Sequence, residues 1–568
     1  MRLNSCRFDP GLRYTTASRV SWGLFLCQHP HRQTYAMTSI RSASKPTAAL
    51  IFAMLFLVAA GLFIEWDYLN EYPSHIHAWA EQDHYALSLG FQHNGFDFFH
   101  PETMIYNKQF PGWWKEAYDT TVTSAGFPIH EYFAALLMKL FGTTSPWVFR
   151  VWTLLWSFLG LGFLYKISYR LTSDGAKSLL VSSIALTSPV MAYYLNGFLP
   201  GVPALSLSII GFWYYLKHLE SRQRRDFHVS IAFLTLAMLI RTTFAIALIT
   251  VLCFELWRIL RKESTFLDKL PAVLISLCVY LACFLWNRHL TQQHGTLFLN
   301  QLLPPESWQD AKELLSDAYH NWRFHYFQRF HYGVFLMTIL AAVAATLYRA
   351  FRKKSFSKMS PEKKTLSLWW LPLIQLFGCL LFTAAMMQQI QYHDYYFLDT
   401  FFLPLLLVLI LLLKSIPTPT RKVLVGVEYL IALVLLVVMI HNASDMQVFR
   451  RQSENYAWNT HQNYQDADLL LDSLGIPADA KVLCLYGYAQ NGPFLQMKRK
   501  GFIVMEDKDE LLEAAFQFPF DCVVIENEKL DTYYINRASF FNGLKKFGGN
   551  EKISVFLPFY SSIESMKY

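Results

Sequence analysis

The chain has 568 residues, of which 53% are hydrophobic and only 16% charged, where an ordinary soluble domain carries about 25% charged residues. This excludes a soluble enzyme and a disordered chain, and the long unbroken apolar runs at 50–64, 401–413 and 423–440 exclude a transmembrane barrel, whose strands are short and alternating. The formal net charge of +8 therefore has to be read as topology and not as a nucleic-acid footprint.

Residues 1–45 form a basic segment with seven Lys and Arg. The apolar stretch 20–27 is too short to span a bilayer, and Met37, just ahead of the first long apolar run, is a second candidate start. From residue 46 the chain reads as about eleven membrane-spanning helices, because only helices satisfy the backbone along such runs in lipid. They fall near 46–64, 146–168, 176–195, 199–216, 229–240, 243–257, 270–288, 332–348, 368–388, 394–413 and 423–441. The fifth and sixth are short and meet at Arg241, so two crossings or a re-entrant pair both fit.

Orientation follows from Lys and Arg in the short connections. The connections 169–177, 217–228, 258–269, 349–366 and 414–422 hold 20 Lys and Arg in 60 residues, whereas 65–145, 196–198, 289–331 and 389–393 hold 6 in 132. The first set is expected inside and the second outside, with the N-terminus inside. One further apolar segment, 128–142, reaches only about two thirds of the way across a bilayer core as a helix. Counting it as a crossing would invert every later loop, so it is read as an interfacial or re-entrant helix.

The outer loop 65–145 carries ten Asp and Glu against three Lys, and together with the outer loop 289–331 it holds 11 of the 18 histidines. Interleaved aromatics, among them Trp66, Trp79, Trp113 and Trp114, suit sugar or cation binding as a set. Singly, they suit an interfacial aromatic belt.

After residue 441 the composition is that of a small soluble domain, 442–568. Apolar runs at 481–486, 501–506, 520–526 and 553–557 alternate with helical stretches near 463–474, 508–516 and 536–547, which predicts a small, mostly parallel α/β layer. No glycine-rich phosphate fingerprint follows the first strand, so this reads as an extracytoplasmic accessory domain, not a nucleotide site. No CxxC pair exists, which gives no indication of zinc or thioredoxin chemistry. Cys484 and Cys522, on two of these strands, fit either a bridge or buried free thiols.

Among residues that could carry chemistry, the run Ala80-Glu81-Gln82-Asp83-His84-Tyr85 places two carboxylates shortly after the first span. Arg241, between two apolar runs, is costly in a membrane and by default a functional candidate. His393-Asp394-Tyr395-Tyr396 opens a late span on the outer side. His75, His77 and His84 lack a full metal-ligand spacing.

The carboxylate-bearing start of the first outer loop, then Phe98-Phe99-His100-Pro101-Glu102, then Gly126-Phe127-Pro128 and Phe149-Arg150, resembles the GT-C glycosyltransferases, which include the protein O-mannosyltransferases and the aminoarabinose transferases of lipid A. The likeness covers 46–441 in outline and extends less sharply to Leu239-Ile240-Arg241 and to the His393 run. It implies a GT-C-like transmembrane domain and a multi-pass protein of the plasma (inner) membrane. Its activity would be transfer of a sugar from a polyprenyl-phosphate-linked donor to a lipid, glycan or protein acceptor at the outer face. Carried over by position, Asp83 is the general base with Glu81 as the alternative, and Arg241, His393 and Arg150 bind the donor phosphate. His84, Tyr85, His100 and Tyr396 contact substrate. Members differ in using a metal, so a divalent ion is left open and no other cofactor is expected. Gln82 before Asp83 and His84 after it depart from the Asp-Glu pairs common in the family. A transporter or flippase of lipid-linked saccharides and a non-catalytic membrane scaffold are the rival readings. The first predicts internal repeats and a polar path through the spans, neither of which the sequence contains.

Overall fold

The computed structural model describes residues 47–299, 301–352, 368–418, 421–452 and 456–559. The segment 1–45 with Met37, and most of the basic connection 349–366, lie outside the described residues. The chain is mostly helical, and each apolar run of the sequence falls on helix. In chain order these are α1 Thr47–Glu65, α2 Ala78–His93, α3 Ile129–Phe141, α4 Pro146–Thr172, α5 Gly175–Thr187, α6 Pro189–Tyr194, α7 Gly201–Ser221, α8 Arg224–Ile240, α9 Ala245–Leu260, α10 Leu270–His294, α11 Trp308–Tyr326 and α12 Arg329–Arg352. Helices Trp370–Ala385, Phe402–Ser415 and Lys422–Gln452 follow.

Among the described residues six helices are long and apolar enough to cross a membrane: Ala48–Tyr68, Pro146–Thr172, Thr242–Leu260, Leu270–His294, Arg329–Phe351 and Val423–Gln452. Others are broken for local reasons. The run 176–195 divides into α5 and α6 at Ser188, because Pro189 has no N–H to continue the ladder and instead begins a new helix. The run 394–413 is interrupted at Thr400, between a short turn of helix at Tyr395–Asp399 and Phe402–Ser415. Between α8 and α9, Arg241 is extended (φ −147°, ψ 112°) and a single 3-10 turn, Thr242–Phe244, follows.

The connections fall into two groups joined by polar contacts. In the basic group Arg170 pairs with Glu220, Arg224 with Asp268 at 2.7 Å, Lys269 Nζ lies 2.7 Å from His218 Nε2, Lys177 Nζ donates to Ile416 O at 2.7 Å, and Arg349 donates to Ser415 O. In the acidic group His77 meets Asp394, Arg451 pairs with Glu71, Gly126 N donates to Asn287 Oδ1 at 2.8 Å, and Trp322 Nε1 donates to Gln391 O at 2.8 Å. The five connections richest in Lys and Arg thus meet one another, and so do the acid- and histidine-rich segments. Helix Lys422–Gln452 has 31 residues and is about 46 Å long, well beyond a ~30 Å hydrocarbon core, so its last turns carry Arg450 and Arg451 among the acidic segments. The short helix α3 packs on α2 and α4 at this acidic end and leaves Phe133, Leu140 and Phe141 exposed on its far side.

The C-terminal residues build a five-stranded sheet in the order β2-β1-β3-β5-β4, from β1 Val482–Leu485, β2 Gly501–Val504, β3 Cys522–Glu526, β4 Leu544–Gly549 and β5 Ile553–Pro558. Strands β2, β1 and β3 are parallel, while β5 runs antiparallel to β3 and β4 antiparallel to β5. The expected helix at 536–547 is corrected here: helix Asn527–Phe541 ends early and β4 follows, its polar Lys545 and Lys546 lying on an edge strand where exposure is tolerated. Side chains alternate across the sheet. Val482 and Cys484 pack in one core with Tyr85, Met104, Ile105 and Trp114 of the 65–145 loop, whereas Leu483 and Leu485 pack against Leu511, Leu512 and Phe541. A parallel bridge between Ile105 and Gly501 ties the loop to the sheet edge. Cys484 and Cys522 are buried free thiols.

Gly90 of α2 lies against this loop so closely that a Cβ would fall 1.9 Å from the Glu102 carbonyl oxygen, whereas a Cβ on Gly333 of α12 meets nothing within 4 Å. Gly90→Ala is expected to cost about 1–3 kcal/mol by forcing backbone apart, and Gly333→Ala to be neutral or stabilising. Thermal unfolding of the purified protein in detergent checks both.

Candidate active site at the acidic end

Five consecutive residues of α2, Glu81 to Tyr85, are buried, so the helix is enclosed on all sides. Successive side chains point about 100° apart around the axis, and each meets a different part of the fold. Asp83 faces the C-terminal domain: Gln490 Nε2 donates to its Oδ2 at 2.8 Å and Asn491 Nδ2 to its Oδ1 at 2.7 Å. Burial pushes its carboxyl up to about 7, against the pull of the Asn491 and Gln490 amides and of Lys108. Lys108 is itself fully buried and donates to the Ile105 carbonyl and, at 3.3 Å, to Thr121 O. Burial lowers its ammonium to about 7.

Glu81 points toward Arg150, and burial raises its carboxyl to about 7 in spite of that arginine and Arg451. A Cβ on Gly197 would lie 2.8 Å from Glu81 Oε1, so a side chain there would crowd the carboxylate. Gln82 donates to Pro73 O at 2.6 Å. His84 Nδ1 sits 2.7 Å from Glu131 Oε1 of α3, and Tyr85 donates to the Thr144 carbonyl and packs its ring on Phe198. Both tie α2 to its neighbours. His100 pairs with Asp97 at 2.7 Å in an exposed turn. Arg150 is buried, donating through Nε to Glu71 O at 2.9 Å and through Nη1 to Asn196 Oδ1 at 3.1 Å.

Arg241, His393 and Tyr396 come together around Tyr395. Arg241 Nε donates to Asp399 Oδ2 at 2.5 Å, and its guanidinium lies 4.9 Å from the Tyr395 ring and 5.9 Å from the Tyr396 ring. Its Nη groups donate to no described residue. His393 Nδ1 is 2.9 Å from Gln389 O, and its ring is 5.1 Å from Tyr395 and 5.3 Å from His77. Burial pushes the His393 imidazole down to about 4. His77 immediately precedes α2, six residues before Asp83, which is about 9 Å along the helix axis. The structure thus links the Tyr395 cluster to α2 through His77, with Asp83 farther along the helix and on the C-terminal domain.

Several polar residues here were absent from the candidates drawn from the sequence. Arg450 is fully buried; its Nη2 donates to Asp394 Oδ2 at 2.7 Å, while His77 Nε2 and the Tyr194 hydroxyl lie on Asp394 Oδ1 at 3.1 and 2.8 Å. Arg451 Nε donates to Glu71 Oε2 at 2.8 Å. Although burial opposes it, the hydrogen bond from His75 and the charge of Arg451 hold the Glu71 carboxyl down at about 2. An Arg-Arg pair beyond a span on the side poor in basic residues was the available signal, since it runs against the charge rule. Gln490 and Asn491 gave none, being some 400 residues from their partner. His75, His77 and His84 each turn to a different carboxylate, and no group of three His, Cys, Asp or Glu among the described residues could hold a metal ion.

Residues 125–286, from just before α3 into α10, match the family model of dolichyl-phosphate-mannose-protein mannosyltransferases. No curated protein matches the sequence. The mycobacterial arabinofuranosyltransferase AftD, a GT-C enzyme, superposes with a TM-score of 0.51 over 91% of this chain and 40% of its own, at 13% identity. The chain has the GT-C fold. ArnT from Cupriavidus metallidurans in the apo state aligns over 89% of this chain and 98% of its own at 10% identity, with a TM-score of 0.48. The Archaeoglobus fulgidus oligosaccharyltransferase in the apo form aligns over 86% and 70% at 12% identity, with a TM-score of 0.49.

The Asp394–Arg450 pair has no solvent contact on either side chain. Removing one partner strands the other charge. Arg450→Leu is expected to destabilise by about 3–5 kcal/mol, and Arg450→Leu with Asp394→Leu by clearly less. Thermal unfolding of the single and double variants checks this.

Proposed function

We propose that this chain is a membrane glycosyltransferase that moves a sugar from a polyprenyl-phosphate-linked donor to an acceptor at the outer face of the membrane. The observation that carries the reading is Asp83: a carboxylate on the first outer-loop helix, buried yet bonded by two amide donors, with its pKa raised to about 7. Each carboxylate oxygen accepts one amide and retains lone-pair capacity. A base poised near working pH suits removal of a proton from an acceptor hydroxyl. In the step envisaged, the acceptor oxygen bonds to the anomeric carbon as its proton passes to Asp83. The bond between that carbon and the donor phosphate oxygen breaks, and polyprenyl phosphate leaves with the electron pair. The unpartnered Nη groups of Arg241 are suited to hold that phosphate through paired hydrogen bonds, with His393 and Tyr396 beside them, and Arg150 is the secondary phosphate candidate. Glu81 is the alternative base. The family description, which names a dolichyl-phosphate-linked mannose donor, supports the class of donor. Sugar and acceptor are left to experiment.

The same reading places 46–441 in the inner membrane with about eleven passes, and 442–568 outside. The sorting of connections into a basic and an acidic group supports it, since each pass then joins one group to the other. The acidic group also gathers Glu81, Asp83, Arg241 and His393, as a reaction on that face requires.

The test of activity uses the full chain in lipid nanodiscs with polyprenyl-phosphate-linked mannose and arabinose, following release of polyprenyl phosphate. Asp83→Asn is expected to slow release by about 10²–10⁴-fold. The wild-type rate should fall as pH drops through about 7, because the protonated carboxyl accepts no proton. Full activity in both Asp83→Asn and Glu81→Gln would sink the transferase reading. For topology, cysteines introduced at Arg225 and Lys498 are expected to react with an impermeant thiol reagent from opposite sides of the membrane.

A further inference from the structure

The loop that follows β1, residues 486–492 (Tyr-Gly-Tyr-Ala-Gln-Asn-Gly), leaves the sheet beside the place where the order β2-β1-β3 reverses direction, the usual ligand crevice of a parallel α/β sheet. Here the loop runs on from the sheet into contact with α2, through Gln490 and Asn491. Tyr486 (φ 65°) and Ala489 (φ 66°) are both held in the left-handed region, which costs a residue with a side chain, and Ala489, Gln490 and Asn491 are completely buried. A Cβ on Gly492 would lie 2.4 Å from Gln82 Oε1, so the loop is pressed directly onto α2.

The two amides at the tip are fixed from behind. Asn491 Oδ1 accepts from Met104 N at 3.0 Å, and Gln490 Oε1 accepts from Trp114 Nε1 at 3.2 Å. These contacts leave each amide only one orientation: the oxygen is occupied by the 65–145 loop, so the NH2 group must face Asp83. Tyr488 N is held by Thr460 Oγ1 at 3.2 Å, anchoring the loop to the helix Tyr456–Tyr464. The other polar groups on Asp83 are Trp79 of α2 and the Lys108 ammonium, with Glu102 and Lys500 behind that lysine.

We propose that Gln490 and Asn491 are positioning residues of the transferase, through which the C-terminal domain orients the Asp83 carboxylate and keeps it ionised for the acceptor proton. The 442–568 region is then a working part of the centre and not an accessory. The proposal rests on Asp83 being the base. An oriented backbone strain and two satisfied amides spent on one carboxylate are what such a role requires, since hydrogen bonds to the charged form favour it over the neutral acid.

The experiment follows Asp83 directly. The full chain in nanodiscs is titrated by infrared spectroscopy, and the carboxyl band missing from Asp83→Asn reports its protonation. Gln490→Met and Asn491→Leu keep side-chain size while removing the donor to Asp83 together with the acceptor for Trp114 Nε1 or Met104 N, so each should raise the midpoint by about one pH unit. The acidic limb of the rate of polyprenyl-phosphate release should rise with it, leaving activity reduced about fivefold at pH 7 and recovered at alkaline pH. Asn491→Asp, which puts a like charge opposite Asp83, should raise the midpoint further, and Gln490→Met alone is read if the others fail to fold. An unmoved midpoint, or a loss of activity equal at every pH, overturns the positioning role. A midpoint that moves without the rate profile following overturns Asp83 as the base, and with it the proposal built on it.

Discussion

Backbone amides in hydrocarbon must be satisfied within the chain, and charges there must be paired or carried to an edge. That constraint organises this protein. It makes the apolar runs helical, gathers the basic connections at one end, and sends the acids and histidines to the other. At the acidic end the charges are too many and too buried to stand alone, so they are matched: Arg450 to Asp394, Arg451 to Glu71, Arg241 to Asp399. The long last helix matters most here. Its length brings two adjacent arginines back over the start of the 65–145 segment, where Glu65 and Glu71 lie.

Two different electrostatic environments result within one short helix and its flank. Glu71 touches His75 and Arg451 and is held strongly ionised. Glu81 and Asp83, both within the first two turns of α2, are desolvated and poised near neutrality. Separation of acids into fixed and poised is how a site assigns structural and proton-transfer roles to the same residue type. The C-terminal sheet belongs to this arrangement, because one of its faces shares a core with the 65–145 loop and its 486–492 loop reaches Asp83.

Much of the framework was legible beforehand because it depends on local composition. The apolar runs at 50–64 and 423–440 have one stable conformation in lipid. The clustering of Lys and Arg at 217–228 and 258–269 distinguishes one end from the other, and Arg224 does meet Asp268 there. The strands at 481–486 and 520–526 were visible as short continuous apolar runs. The stretch 536–547 was misread, since Lys545 and Lys546 suit an exposed edge strand as readily as a helix. His84, Tyr85 and His100 were carried over from the resemblance, and their partners Glu131, Thr144 and Asp97 could not be read from neighbouring residues.

The amino-acid sequence by itself determined a helical membrane protein with basic connections set apart from acid- and histidine-rich ones and a carboxylate-bearing helix after the first span, because hydropathy and charge act over a few neighbouring residues. Only the tertiary structure decided what those residues touch. Asp83 meets Gln490 and Asn491 across some 400 positions, Asp394 meets His77 and Arg450, and His84 turns away to Glu131. A buried side chain takes its pKa and orientation from whichever segments close around it, and that closure is a property of the whole packed chain.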